Sequence, residues 1–171
     1  MDKPIRVLFV CLGNICRSPL AEVIAKHKVK ELSAPKNFHF ESAGTGNWHI
    51  GGQADPRSAN TAQRHGLDLS RHTAQQITHH HIHHWDYLVA MDHDNRLNLL
   101  AMGANSHQLL MMRQFESEKN HTNDIQNVPD PYYGGEDGFE DVYQMLNMNI
   151  EHLLNYLLTD VNHLRKNSVA P

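Results

Sequence analysis

Cys11 and Arg17 stand six positions apart in the run Cys11-Leu12-Gly13-Asn14-Ile15-Cys16-Arg17-Ser18. A thiol and a guanidinium at that spacing pair a soft nucleophile with a planar fork that grips two oxygens of one anion. If the loop leads into a helix, its successive backbone N–H groups line a concavity suited to an anion. Gly13 supplies conformational freedom, and Asn14 tolerates left-handed backbone better than most residues. Cys11 then lies at the bottom of the cradle, where the helix dipole and Arg17 favour thiolate and should pull its pKa below the ~8.5 of a free cysteine. A thiolate under a bound phosphate is a nucleophile aimed at phosphorus. A bare C-x5-R spacing occurs by chance, and the bland alternative is a buried structural thiol beside a surface charge. That alternative does not account for an anion nest and a fork in one loop.

Displacing a phosphate ester also needs an acid for the leaving oxygen. Pro129-Asp130-Pro131-Tyr132-Tyr133-Gly134-Gly135 holds one carboxylate between two prolines in a stiff, turn-rich segment. Asp130 would have to carry a proton during attack, and Tyr132 and Tyr133 can wall an aromatic slot. Taken alone, Asp-Pro in a loop is usually a turn former.

These groups need a scaffold. Ile5-Arg6-Val7-Leu8-Phe9-Val10 reads as a strand buried on both faces of a parallel sheet. Ser18-Pro19 reads as a helix start, with Ser as cap and Pro in the first turn; the helix runs to about Leu32 and Pro35 ends it. Further strands are expected at Phe38–Ala43, Tyr87–Ala90 and Gln108–Met111. Helices are expected at Arg57–His65, at Asp92–Met102 and from Gly138 to about Leu164. The last carries an apolar stripe of Val142, Met145, Leu146, Ile150, Leu153, Leu154, Leu157, Leu158 and Val161. Alternating strands and helices predict a doubly wound α/β fold: a four-stranded parallel sheet with helices on both faces. Active sites in such sheets lie at the carboxyl ends of the strands, where Cys11 falls.

The chain of 171 residues reads as a single domain over residues 1–171, without repeats or linker-like stretches. A net charge of −4 argues against nucleic-acid binding. The two cysteines are too few for a four-ligand zinc site and too close for a secreted disulfide scaffold. No apolar run approaches the length of a membrane helix, and no signal peptide is visible, so a cytoplasmic protein is expected.

Val10 to Pro19 and Asp130-Pro131-Tyr132-Tyr133-Gly134 together resemble the low-molecular-weight protein tyrosine phosphatases. The resemblance continues through Ser42-Ala43-Gly44-Thr45, Arg64-His65-Gly66 with Ser70 and His72, and Asp86-Tyr87 to Met91-Asp92. It spans about Arg6 to Tyr156. It implies hydrolysis of phosphotyrosine through a phosphocysteine, with no cofactor. Cys11 would attack, Arg17 and the loop amides of Leu12 to Cys16 would hold the phosphate, and Asp130 would protonate the leaving oxygen and later activate water. By the same resemblance Asn14, Ser18, Ser42 and His72 form a network that steadies the loop. Trp48 matches an aromatic wall residue opposite Tyr132 and Tyr133; its alternative reading is core packing.

Relatives that act on phosphoarginine carry a smaller Thr where this chain has Ile15, and lack the paired tyrosines, so an aryl ester is favoured. Cys16 resembles a loop cysteine that can form a reversible disulfide with the nucleophile, which makes a redox guard a hypothesis. The implied partners are phosphotyrosine proteins, with a bacterial tyrosine kinase as one family-level possibility and inorganic phosphate as product. One rival reading is an arsenate reductase on the same loop, but the chain has no relay cysteine outside it. The other is a non-catalytic phosphate-binding module, which would be expected to lose Cys11, Arg17 or Asp130.

Fifteen histidines include a cluster from His79 to His84. On a helix, His79/His83 and His80/His84 would be i,i+4 pairs able to grip a transition metal; the alternative is a solvated surface, and no metal site is assigned. Glu136, Asp137, Glu140 and Asp141 make the rim beyond Asp130 acidic, either biasing peptide choice toward basic flanks or forming a solvated helix start.

Overall fold

The computed structural model describes residues 3–32, 37–116 and 126–167, with side chains to residue 160. Its elements run β1 (Ile5–Cys11), α1 (Arg17–Glu31), β2 (Phe38–Gly44), α2 (Pro56–Arg64), β3 (Tyr87–Ala90), α3 (His93–Ala101), β4 (Leu109–Met111) and α4 (Glu136–Asn167). All strand pairs are parallel, in the order β2-β1-β3-β4. The chain reverses direction across the sheet between β1 and β3, and such a switch point opens a crevice beyond the strand ends.

Alternation along β1 splits the core into two layers. Val7, Phe9 and Cys11 face α1 and α4, while Leu8 and Val10 face the side of α3, with Leu99, Ile82 and Trp85. Both faces are therefore covered, as the apolar run of β1 requires. The α4 stripe is buried at Val142, Leu146, Ile150, Leu153, Leu154 and Leu157, and Met145 and Leu158 pack against it. Pro35 and the side chain of Val161 lie outside the described residues.

Two local expectations change. The first helix begins at Arg17, with Cys16 at the capping position and no side-chain cap. Ser18 does not cap because its hydroxyl is committed to Cys11 and Asn14. The first-turn amides thus stay unclaimed by a side chain, which suits an anion-binding end. The histidine cluster is a turn followed by a short 3-10 helix, Ile82–His84, rather than an α-helix. The i,i+4 histidine pairs consequently do not form; the 3-10 repeat brings His81 and His84 together instead, with ring centroids 5.4 Å apart.

Candidate active site

β1 ends at Cys11, and α1 starts at Arg17, so five residues must turn the chain through the space beyond the sheet. Asn14 makes the turn in the left-handed region, at φ +56°. Gly13 does not use positive φ; what its missing side chain provides is room, since a Cβ there would lie 3.0 Å from the His49 ring.

The Asn14 side chain then ties the cradle together. Its Nδ2 donates to Ser18 Oγ and to Ser42 Oγ, both at 2.9 Å, and its Oδ1 accepts from the Gln75 amide at 2.9 Å. Every side-chain hydrogen-bonding group of this buried amide is engaged, which fixes its orientation. Ser42 Oγ passes its own hydrogen to Glu22 Oε2 at 2.6 Å, and the His72 ring donates from Nε2 to the Asn14 carbonyl at 2.7 Å. Because Ser18 Oγ already accepts from Asn14, its proton is free for Cys11 Sγ, 2.9 Å away. The Asn14 amide N–H also points at the sulfur, at 3.2 Å. Two hydrogen-bond donors thus converge on one sulfur.

Arg17 is buried, and three contacts hold its guanidinium at the edge of the cradle. Nη1 meets Asp92 at 2.7 Å and the Val128 carbonyl at 2.9 Å, while Nη2 meets Asp130 at 3.3 Å. Burial works against its charge, but Cys11, Asp92 and Asp130 outweigh it and hold the guanidinium above its ordinary pKa. Asp130 itself accepts from the Tyr132 amide at 3.1 Å, an Asx-type turn that orients the carboxyl. Cys16 is buried with Ile15, Ala74 and Phe139 and also contributes to the lining of the crevice over Cys11. Burial first, and then Asp55, Cys11 and Asp130, push its thiol well above the usual range.

The crevice over Cys11 has a volume of about 340 Å³ and is walled by Leu12, Ile15, Trp48, His49, Asp130 and Tyr132, with Tyr133 at its rim. Trp48 is 70% exposed, so it stands at the wall and not in the core. Its ring lies over Gly46, where a Cβ would sit 1.9 Å from it. Tyr132 and Tyr133 meet edge to face at 5.0 Å, and Tyr133 projects almost wholly into solvent.

All the residues expected from sequence converge here: Cys11, the loop from Leu12 to Ser18, Ser42, Trp48, His72, Asp130, Tyr132 and Tyr133. Sequence reading missed Glu22, Gln75, His49, Asp92 and Arg57. Asp92 could have been found as a helix cap, since its Oδ1 accepts from the Asn95 amide at 2.7 Å. The others carry no local signal. Chemically, the site offers one thiol among hydrogen-bond donors, one fork and one carboxyl over an apolar slot. That set can move a phosphoryl group from an aryl oxygen to sulfur and then to water.

The family model described as low molecular weight phosphotyrosine protein phosphatase matches residues 6–168. The chain is 42% identical to low molecular weight phosphotyrosine protein phosphatase 1 of Drosophila melanogaster, over 81% of this chain and 88% of that protein. It is 38% identical to the low molecular weight phosphotyrosine protein phosphatase of Schizosaccharomyces pombe, over 85% and 92% respectively. The crystal structure of YfkJ from Bacillus subtilis superimposes with a TM-score of 0.85 at 32% identity, covering 93% of this chain and 98% of that one.

Proposed function

The chain belongs to the low molecular weight phosphotyrosine protein phosphatase family and is a protein-tyrosine phosphatase, and from that premise we propose that Cys11, Arg17 and Asp130 carry its reaction. The observation that carries this reading is the convergence on Cys11 Sγ of Ser18 and the Asn14 amide, with Arg17 and Asp130 joined above it. Cys11 Sγ forms a bond to phosphorus as the bond from phosphorus to the tyrosine oxygen breaks. The Asp130 proton goes to that oxygen, so tyrosine leaves neutral. Arg17 and the loop amides hold the equatorial oxygens, where charge develops. Water then attacks the phosphocysteine, giving its proton to Asp130, and the S–P bond breaks to release inorganic phosphate and the thiolate.

Ile15, Trp48 and Tyr132 form the apolar slot that fits an aryl ring, and phosphotyrosine proteins are the substrates. Asn14, Ser18, Ser42 and His72 steady the loop. The chain acts as one domain in the cytoplasm and needs no metal or other cofactor; among the described residues, no helix is long and apolar enough to cross a membrane. A tyrosine kinase of the same cell is one candidate substrate.

Turnover of p-nitrophenyl phosphate and of a phosphotyrosine peptide by wild type, Cys11→Ser and Asp130→Ala tests the mechanism. Phosphoarginine and arsenate are run in parallel. Cys11→Ser should be inactive, and Asp130→Ala should lose about 100-fold or more on the peptide; undiminished turnover by Cys11→Ser would sink the reading. Cys16 is proposed as a redox guard, because it shares the loop with Cys11 and both thiols are free. After peroxide, thiol should restore wild type but not Cys16→Ser.

A further inference from the structure

Asp130 stands midway between two carbonyls that arginines hold. Arg17 binds the Val128 carbonyl on one side at 2.9 Å, and Arg57 binds the Tyr132 carbonyl on the other at 3.0 Å. Arg57 also reaches the Gly134 carbonyl at 3.1 Å. Arg57 belongs to the first turn of α2 and lies outside the catalytic crevice. Its fork is fixed from behind by both oxygens of Asp55, at 3.0 and 2.8 Å, and its Cζ lies 4.6 Å from the Phe139 ring centroid.

The base of this clamp is joined to the cradle itself. The Asp55 amide donates to the Ile15 carbonyl at 2.8 Å, and Ser58 Oγ donates to the Cys16 carbonyl at 3.0 Å. One helix start therefore fastens the nucleophile loop on one side and the acid loop on the other. The second link leads to the carboxyl: Arg57 holds the Tyr132 carbonyl, and the Tyr132 N–H donates to Asp130 Oδ1 at 3.1 Å.

We propose that Arg57 is a positioning residue for the general acid, setting the place of Asp130 over Cys11 through the peptide groups of Tyr132 and Gly134. This rests on the phosphatase reading above. Arg57 lies outside the crevice, with its Cζ 5.7 Å from the Tyr132 ring centroid and its base tied to the nucleophile loop. The mark of an effect that passes through Asp130 is therefore that it scales with the need for a proton. Phenyl phosphate leaves as a poor, basic phenolate and needs that proton; 2,4-dinitrophenyl phosphate leaves as a stable anion and does not.

The test is kcat/KM for both esters with wild type, Arg57→Gln, Arg57→Lys and Cys11→Ser, and for Arg57→Gln in an Asp130→Ala background. Arg57→Gln should lose about tenfold on phenyl phosphate and less than about twofold on the dinitrophenyl ester, a fraction of the range that general acids contribute. Arg57→Lys should not rescue it, since an ammonium lacks the planar fork that spans two carbonyls and Asp55. In the Asp130→Ala background the same change should cost phenyl phosphate turnover nothing further. The dissociation constant of inorganic phosphate should stay within about twofold of wild type, the cradle being intact.

Equal losses on the two esters, an undiminished loss without Asp130, or no loss at all would overturn the proposal. If Arg57→Gln does not fold, Arg57→Lys read on the two esters decides by the same criteria. An inactive wild type, or an active Cys11→Ser, would strike the phosphatase reading instead.

Discussion

Arg17 and Asp92 form an ion pair at 2.7 Å, and the same Asp92 caps α3 through the Asn95 amide. The fork that is to grip phosphate is thus aimed by the first turn of another helix, across the switch point of the sheet. The two duties separate by substitution. Asp92→Asn retains a good capping oxygen in place of Oδ1 but puts an amide NH2 where Oδ2 accepts from Arg17, so that charge-assisted bond is lost and two donors face each other. It should lower kcat/KM on p-nitrophenyl phosphate about tenfold with the α3 cap kept. Asp92→Ala should add about 1 kcal/mol of lost cap stability, read in denaturant melts. Equal melting behaviour of the two variants would show that the cap is unimportant.

Gly44 lies directly under the cradle, and a Cβ there would sit 2.7 Å from the Leu12 carbonyl oxygen and 3.2 Å from the Asn14 nitrogen. Both neighbours are backbone, so relief must come from moving the loop that carries Cys11. Gly44→Ala should cost about 1–3 kcal/mol of stability. It should also lower kcat about 100-fold, the scale of a misplacement near 1 Å. Gly135, with nothing within 4 Å of its would-be Cβ, is the control position. Gly135→Ala should melt within about 0.5 kcal/mol of wild type. A Gly44→Ala enzyme with normal turnover would show that the cradle tolerates the shift.

What the sequence reveals follows from where each signal resides. The cradle was legible because its parts are consecutive: a nucleophile, a left-handed Asn, a fork and a helix start within eight residues. The sheet was legible because β1 and β3 are short apolar runs at the expected intervals, and β3 spans Tyr87–Ala90 as expected. Glu22, Gln75 and Arg57 were not legible. On the chain Glu22 is an ordinary helix carboxylate with Lys26 four residues on, 2.6 Å away. Its bond to Ser42 exists only because α1 packs on β2. Arg57 reads as a surface arginine of an amphipathic helix until α4 and the acid loop fold over it. The Ser18 cap was misplaced for a related reason: a local rule gave it to the helix, but the sulfur and Asn14 hold it through the folded loop.

The two loop cysteines should respond differently to alkylation. Cys11 and Cys16 are both buried and both line the crevice, but Ser18 and the Asn14 amide converge on the Cys11 sulfur, whereas burial pushes the Cys16 thiol up and keeps it protonated. Iodoacetate at neutral pH should therefore place one carboxymethyl group on the native protein, at Cys11, and inorganic phosphate should block it. Cys16 should be labelled only after denaturation. Peptide mass analysis reads both sites, and native labelling of Cys16 would contradict its placement.

Asp55 gives the fold an acid limb. The hydrogen bond from the Arg57 side chain, opposed by burial and aided by the Arg57 amide, holds its carboxyl below the ordinary 3.8. A carboxylate depressed in the folded state binds fewer protons there than when unfolded, so acid favours unfolding. The stabilisation is complete above 3.8 and is lost as the pH falls through the lower, folded value. Asp55→Asn preserves a capping side chain for α2 but has no proton to gain. Denaturant melts at a pH of about 5 and again near 2.5 should show wild type losing more stability between the two than Asp55→Asn does. Arg57→Gln should flatten the same limb, because the depression originates in its guanidinium. Parallel acid limbs for wild type and both variants would mean that Asp55 and Arg57 are not coupled in solution, and the clamp on the acid loop would lose its base.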